Sequence, residues 1–234
     1  MRVLLVEDNA DYASEVEREV RSIQGCELVW SASRDSALQR IDSDEDFCLV
    51  ILDRRIPTAD GVLDDHFEHG WRVFQAIRTR LAGTPVWFLT GTEDPDFAAD
   101  LANDYARQAD LNGRQQPDAM YRVFWKRRIV DCMRALKEFA EQHLALEQIA
   151  ISVPPEMRLR DSEARTIRLF GRRHRGANVD VQGLGGGLSD SRVLRVAVRS
   201  ADGRPLITTV AKVSSLSETA DEAGPQSQLL QSPF

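Results

Sequence analysis

The sequence is poor in cysteine, and the spacing of its cysteines does not indicate a redox-active pair or a metal site. Its 234 residues include three, Cys26, Cys48 and Cys132, with no CxxC pair and no Cys/His spacing of a metal site. Their number is odd, and Cys48 lies in an apolar run. We therefore expect reduced thiols in the core or near the surface, of the kind found in cytosolic proteins.

Targeting signals and long hydrophobic runs are also missing. The N-terminus, MRVLLVEDN, has one basic residue and an apolar run that is too short for a signal peptide. No apolar stretch reaches the length of a membrane span. These absences predict a soluble, cytoplasmic protein without membrane contact. The net charge of −7 argues against a nucleic-acid binder taken as a whole, although it says nothing about local patches.

Apolar runs alternate with amphipathic segments through the first 148 residues. Continuous apolar runs are typical of strands buried on both faces of a parallel sheet, whereas apolar residues three and four apart indicate helices. The predicted strands are 2–6, 27–32, 48–53, 85–91 and 121–125. The predicted helices are 11–23, 34–43, 71–82, 96–108 and 128–148. This alternation predicts an α/β domain, residues 1–148, with a doubly wound five-stranded parallel sheet.

The pattern changes beyond this domain. Two prolines in ISVPPEMRLRD predict a linker over 149–161. The following region, 162–213, predicts a short basic helix and then two or three antiparallel strands, with a hairpin turn at 201–204. Residues 214–234 are rich in Ser, Gln and Glu and have little to bury, so we expect a mobile tail. The C-terminal region is therefore predicted to be small and α+β.

Charged and polar side chains follow the apolar runs where four of the strands end. Glu7 and Asp8 follow the first strand, Asp53 ends the third, Thr90 ends the fourth and Lys126 follows the fifth. In a doubly wound sheet ligands bind at the carboxyl ends of the strands. Crowded carboxylates repel one another, and a hard divalent cation such as Mg²⁺ relieves that repulsion. With a lysine nearby, such a site suits phosphoryl transfer to a carboxylate nucleophile, which we predict to be Asp53.

Four motifs, LLVEDN, VILDRRIPTADG, VWFLTGT and VFWK, occur in this order and resemble those of the receiver domain of two-component response regulators. The resemblance covers roughly residues 1–145 and implies a flavodoxin-like fold. It also implies a Mg²⁺ ion held by Glu7, Asp8 and Asp53. The backbone carbonyl of Arg55 would complete the protein ligands.

The same resemblance implies a phosphorelay. Asp53 would be the phosphoacceptor and a sensor histidine kinase the partner that supplies the phosphoryl group. Thr90 would be the hydroxyl that moves on phosphorylation, and Lys126 would contact the phosphoryl group. Enzymatic activity would be limited to self-dephosphorylation. A response to phosphorylation would change the surface formed by the fourth helix, the fifth strand and the fifth helix.

The sequence also departs from the receiver pattern. The segments 58–69 and 97–120 are longer than usual. Val123 stands where a switch aromatic is expected, and Arg127 where proline is common. These departures put in doubt the standard aromatic switch and the standard dimer surface. The stretch DDHFEH, residues 64–69, has two histidines and three acids that could bind a metal, but a solvated loop is the favoured interpretation.

Two interpretations compete for the C-terminal region. Seven arginines between residues 158 and 175 could contact a phosphate backbone, and DSEARTIRLF resembles the first helix of a helix-turn-helix domain. DNA binding is not favoured, because glycines and strands follow instead of further helices. The other interpretation is a resemblance of GLGGGLSDSRVLRV and VAKV to the N-terminal lobe of kinase-like and aminoglycoside phosphotransferase-like folds.

In the kinase-like interpretation the glycines and one lysine form a candidate nucleotide loop. Gly185, Gly186 and Gly187 would line the phosphates, and Lys212 would bind them, with Glu218 or Glu222 as its ion-pair partner. No HRD or DFG motif follows before Phe234, so we do not expect kinase activity. We expect this region to bind ATP poorly or not at all and to contact another protein or to support a homodimer.

Taken together, the residues predict a response regulator that accepts a phosphoryl group on Asp53 and signals to an attached output module. The alternative from another class is a receiver-like scaffold that docks partners independently of phosphorylation.

Overall fold

The computed structural model describes residues 1–43, 45–91, 95–105, 108–184 and 192–213. The chain divides into two compact units, one formed by Met1–Leu146 and a second that begins at Glu147. Among the described helices, none combines the length and the apolar character needed to cross a lipid bilayer.

The N-terminal unit is built on a parallel sheet. Its strands are β1 (Arg2–Val6), β2 (Glu27–Ser31), β3 (Leu49–Leu52), β4 (Val86–Thr90), β5 (Gln108–Ala109), β6 (Asp118–Ala119) and β7 (Tyr121–Trp125). Its helices are α1 (Ala10–Arg21), α2 (Arg34–Asp42), α3 (Phe67–Arg80), α4 (Pro95–Asp104) and α5 (Ile129–Glu147). Five of the strands pair in parallel in the order β2-β1-β3-β4-β7. This order is that of flavodoxin-like folds, and it confirms the predicted doubly wound sheet.

The core lies in two layers, one on each face of this sheet. Along β1, Val3 and Leu5 point into the layer under α1 and α5, while Leu4 and Val6 point into the layer under α2 and α3. Successive residues of a strand point to opposite faces, so a strand covered on both faces has to be apolar throughout. The continuous apolar runs of the sequence therefore mark the central strands.

The segments between the strands differ in two places from the prediction. Helix α3 begins at Phe67 rather than 71, because the His66 side chain caps it by accepting a hydrogen bond from the Glu68 amide at 3.3 Å. The long segment before β7 contains two short strands, β5 and β6, which have two residues each and pair antiparallel. Leu111 and Met120 from this part are buried in the core layer under α1 and α5, so it packs as part of the domain.

The second unit contains a four-stranded sheet and one helix. Its elements are β8 (Ala150–Ser152), α6 (Asp161–Arg173), β9 (Asn178–Gly183), β10 (Arg192–Arg199) and β11 (Pro205–Val213). The sheet order is β11-β10-β9-β8, with β8 parallel to β9 and the other pairs antiparallel. The predicted α+β region is confirmed. In the part of the chain after α6 that the structure describes, residues 174–184 and 192–213, strands follow instead of further helices, which does not fit a helix-turn-helix domain.

Two details of this unit refine the sequence prediction. The range 149–161 is not a linker throughout, because residues 150–152 form the edge strand β8. The sequence does not indicate this strand, because it has only three residues and two prolines follow shortly after it. The predicted hairpin turn lies between β10 and β11, where Gly203 has a positive φ of 81°, a conformation that glycine adopts without strain. The predicted tail, 214–234, lies outside the described residues.

Candidate functional site

Three carboxylates meet at the carboxyl edge of the N-terminal sheet. Glu7 and Asp8 directly follow β1, and Asp53 directly follows β3. Strands β1 and β3 are parallel neighbours in register, with Val6 opposite Leu52, so their ends lie level. One carboxylate oxygen from each of the three residues lies within 4.8 Å of the others. Glu7 and Asp53 are buried and Asp8 is exposed, so the cluster opens to solvent on the side of Asp8.

Lys126 reaches this cluster from the end of β7, which lies two strands from β3 in the sheet. Its Nζ atom lies 2.6 Å from Oδ2 of Asp53 and 2.7 Å from Oε2 of Glu7. The ammonium group therefore bridges the two buried carboxylates. Charge-assisted hydrogen bonds of this length are strong, and they offset part of the cost of burying two negative charges.

The ionisation of this cluster is governed by burial. Burial raises the pKa of Glu7 to about 7, against the opposing effect of Lys126. Burial also raises the pKa of Asp53, again opposed by Lys126. Burial by itself would lower the pKa of Lys126, but Asp53 and Glu7 outweigh it and raise that pKa. The lysine therefore stays charged at neutral pH, while Glu7 lies near its midpoint.

The Glu7 carboxyl makes a pH-dependent contribution to stability. It keeps its proton up to about pH 7 when folded, whereas its ordinary pKa of 4.5 applies when unfolded. The folded state therefore binds the extra proton between these values, and stability falls as the pH rises through them. Without divalent cations, we expect the ionisation of Glu7 to lower the free energy of unfolding by about 2 kcal/mol between pH 5 and pH 8. Glu7→Gln should abolish this pH-dependent part of the free energy of unfolding. Urea unfolding at a series of pH values measures it.

Glu19→Gln is the matched control for this prediction, because Glu19 lies exposed on α1. It should give a pH profile like that of the unmodified protein. Parallel profiles for Glu7→Gln and the unmodified protein would contradict the assignment of this pH dependence to Glu7.

The other predicted site residues are Thr90 and Arg55. Thr90 is buried at the end of β4, opposite Trp125 of β7. The Arg55 amide donates a hydrogen bond to Oδ1 of Asp53 at 3.2 Å. The Arg55 guanidinium pairs with Asp65 at 3.0 Å. The metal-binding role of the Arg55 carbonyl and the switch role of Thr90 stay predictions.

Gly70 is a residue near the site that the sequence analysis missed. A Cβ atom at this position of α3 would lie 2.4 Å from the carbonyl oxygen of Arg54 and 2.8 Å from that of Asp53. The helix therefore packs directly on the backbone that carries Asp53. A glycine within a helical pattern is unfavourable by itself and often has a packing reason, which is the signal that could have identified it.

Arg54 is a second residue that the sequence analysis missed. It directly follows Asp53, and its guanidinium carbon lies 3.8 Å from the ring centroid of Phe97 in α4. The Phe97 ring in turn packs against Phe88 of β4, with centroids 5.1 Å apart. This chain of contacts connects the end of β3 with α4. No sequence pattern pointed to it, because a cation–π contact depends on the approach of two distant segments.

The histidines of residues 64–69 make local contacts. His66 caps α3, and Nδ1 of His69 lies 2.9 Å from the carbonyl oxygen of Ile56. Within the described part of the chain, the one group of three or more acidic, histidine or cysteine side chains close enough to hold a metal ion is the cluster of Glu7, Asp8 and Asp53. The favoured metal site is therefore the one at the sheet edge.

The candidate nucleotide loop is described only in part. Lys212 lies exposed on β11, opposite Val193 of β10. Gly185, Gly186 and Gly187 lie outside the described residues, as do Glu218 and Glu222. The resemblance to a kinase-like lobe is not shown, and the expectation that this region binds ATP poorly or not at all stays a prediction.

The residues of the cluster suit Mg²⁺. All three offer carboxylate oxygens, which Mg²⁺ prefers over nitrogen or sulfur. The exposed Asp8 leaves one side open to the water molecules that Mg²⁺ retains. Lys126 contacts the two buried carboxylates, with Nζ 2.6 Å from Asp53 and 2.7 Å from Glu7.

The N-terminal unit has a flavodoxin-like fold, with the acidic cluster and the lysine at the carboxyl edge of the sheet. No protein-family model matches the chain, and no curated protein matches it. Solved structures do match. One is a CheY-like response regulator receiver domain protein from Methanospirillum hungatei JF-1, 20% identical, with 62% of this chain and 97% of that chain covered and a TM-score of 0.43.

Two further matches have similar values. The signal receiver domain of an HD domain-containing protein from Pseudomonas fluorescens Pf-5 is 21% identical over 61% of this chain and 97% of that chain, with a TM-score of 0.44. The response regulator protein TrrA from Thermotoga maritima, solved in complex with Mg²⁺-BeF, is 20% identical over 59% of this chain and 97% of that chain, with a TM-score of 0.42. At these identities the likeness concerns the fold alone.

Proposed function

We propose that the N-terminal unit accepts a phosphoryl group on Asp53, with Mg²⁺, from a phosphohistidine of a sensor kinase, and signals through an attached output region. The observation that carries this proposal is the position of the Asp53 carboxylate. It is buried, with the Lys126 ammonium at 2.6 Å and a carboxylate oxygen of Glu7 and of Asp8 within 4.8 Å. An acid whose only role is to end a strand or cap a turn does not need these neighbours.

Each of the two carboxylate oxygens of Asp53 accepts a different hydrogen bond. Oδ1 accepts from the Arg55 amide and Oδ2 accepts from Lys126, so the carboxylate is held in one orientation. In the transfer, one carboxylate oxygen forms a bond to phosphorus while the bond from phosphorus to the donor's imidazole nitrogen breaks. The electron pair of that bond stays on the nitrogen, which takes up a proton.

Lys126 serves the transfer by its charge. Its ammonium offsets the negative charge that accumulates on the phosphoryl oxygens near Asp53. Bound Mg²⁺, held by Glu7, Asp8 and Asp53, would supply further positive charge to the same oxygens. Glu7 also pairs with Lys126, with Nζ to Oε2 at 2.7 Å, and this ion pair helps to keep the ammonium at the site.

Acetyl phosphate tests the proposal without knowledge of the kinase. We expect the purified protein to gain a phosphoryl group that requires Mg²⁺ and is cleaved by hydroxylamine, as an acyl phosphate is. Mg²⁺ alone should change the tryptophan fluorescence, because the Trp30 indole nitrogen donates a hydrogen bond to the Glu7 carbonyl at 2.7 Å and Trp125 precedes Lys126. Asp8→Ala should strongly weaken both responses.

Several outcomes would contradict the proposal or a part of it. A label that forms equally well without Mg²⁺, or that resists hydroxylamine, would exclude an acyl phosphate at this site. No label at all, with an intact fold, would favour the alternative of a scaffold that docks partners independently of phosphorylation. An unchanged Mg²⁺ response in Asp8→Ala would remove Asp8 from the metal ligands.

A further inference from the structure

An aromatic ring forms a third side of the environment of Lys126. Tyr12 lies in the first turn of α1, and the Nζ atom of Lys126 lies 5.0 Å from the centroid of its ring. The side chain is half-buried and packs against the core layer under α1 and α5. An ammonium over an aromatic face at this distance is attracted by the ring quadrupole, and more strongly where water is excluded. The other two sides of the ammonium are occupied by Asp53 and Glu7.

The turn that places the acidic residues also places this ring. The Asn9 side chain caps α1 by accepting a hydrogen bond from the Tyr12 amide at 3.0 Å, and the Asn9 amide donates to Oε1 of Glu7 at 3.2 Å. The backbone at Tyr12 is therefore fixed relative to the backbone at Glu7 and Asp8. The ring and the acidic residues are therefore held by the same turn, and Lys126 contacts both from the end of β7.

The hydroxyl group of Tyr12 has no structural partner that would explain a tyrosine here. It is buried and has no hydrogen-bond partner within the described part of the chain. Burial, and next the charge of Glu7, raise the pKa of Tyr12, so the phenol stays neutral and its ring stays a good face for a cation. The contact with Lys126 thus depends on the ring rather than on the hydroxyl.

We propose that Tyr12 is a positioning residue that holds the Lys126 ammonium beside Asp53 through the face of its ring. The inference rests on the proposed phosphoryl transfer to Asp53. A lysine stem has four rotatable bonds, and Glu7 alone would allow the ammonium to turn away once the charge of Asp53 is used to bind phosphorus. The ring keeps the ammonium where the phosphoryl oxygens arrive.

Two substitutions separate the ring from the hydroxyl. Tyr12→Phe keeps the ring, and we expect its rate of labelling by acetyl phosphate with Mg²⁺ to stay within about twofold of the unmodified protein. Tyr12→Leu removes the ring and should slow labelling about tenfold. Val20→Ala, a core substitution two turns further along α1, is the control for lost packing and should leave the rate unchanged once folding is verified by circular dichroism.

A double-mutant comparison and a spectroscopic readout distinguish positioning from structure. Tyr12→Leu should have no further effect on labelling when Lys126 is already replaced by methionine. In NMR spectra without any phosphodonor, the ε-methylene protons of Lys126 should show a ring-current shift that is kept in Tyr12→Phe and lost in Tyr12→Leu. This readout does not depend on phosphorylation.

Three results would overturn the inference. These are equal slowing by Tyr12→Phe and Tyr12→Leu, an additional effect of Tyr12→Leu in the Lys126→Met background, and the absence of a ring-current shift on Lys126. If the unmodified protein takes no label while the shift is present, the contact stands, but the phosphoryl transfer that it was to assist fails, and the positioning role fails with it.

Discussion

Replacement of Asp53 by asparagine is expected to abolish labelling by acetyl phosphate, with the rate lowered at least about a thousandfold. An amide has no anionic oxygen to attack phosphorus, although it keeps the size of the carboxylate. Its single oxygen can accept a hydrogen bond from Arg55 or from Lys126, which now contact separate carboxylate oxygens, but not from both. The fold should therefore remain intact, which circular dichroism can check. Intact-protein mass spectrometry with Mg²⁺ present measures the label.

Asp65→Asn is the matched control for this substitution. Asp65 lies in the loop that follows β3, is exposed and pairs with the Arg55 guanidinium, so it is an acid close in sequence but outside the cluster. Its labelling rate should stay close to that of the unmodified protein. A phosphoryl group found by peptide mapping on another residue of the domain in Asp53→Asn would show that the acceptor has been assigned wrongly.

Replacement of Gly70 by alanine is expected to destabilise the N-terminal unit by about 2 kcal/mol, even though alanine is favoured over glycine in a helix by about 1 kcal/mol. The added Cβ would lie 2.4 Å from the Arg54 carbonyl oxygen, so α3 or the backbone after Asp53 has to move. Because this backbone orients Asp53, the proposed phosphoacceptor, labelling should also slow at least about tenfold. Urea unfolding and labelling kinetics measure the two effects.

Gly83→Ala provides the comparison. A Cβ at Gly83 would meet nothing within 4 Å, so its stability should change by less than about 0.5 kcal/mol and its labelling rate should not change. If Gly70→Ala and Gly83→Ala behave alike, α3 has room for a side chain at residue 70 and does not constrain the position of Asp53.

The sheet, and the meeting of acidic and basic side chains at its edge, were predictable because their sequence signals are local. The four residues of β3, Leu49–Leu52, are all buried, and a run of this kind has few interpretations other than a strand covered on both faces. Once such strands are assigned in parallel, the residues after them must meet at one edge. Glu7, Asp8, Asp53 and Lys126 follow from this rule alone.

Other features were not predictable, because they depend on contacts between segments far apart in the chain. The edge strand β8 exists because β9, more than twenty residues later, offers it a partner. Helix α3 begins four residues early because His66 caps it. The sequence around these positions has polar residues and prolines, which indicate loops equally well.

By itself, the sequence determined the order of the elements, the doubly wound sheet and the identity of the acidic and basic groups at its edge. Only the tertiary structure decided how these groups engage one another. It showed that Lys126 bridges Glu7 and Asp53 at 2.7 and 2.6 Å, that burial raises the pKa of Glu7 to about 7, and that Tyr12 and Gly70 border the site. The reason is physical. Hydrophobic periodicity is a property of neighbouring residues in the sequence, whereas burial, electrostatic coupling and steric fit arise where distant segments pack together.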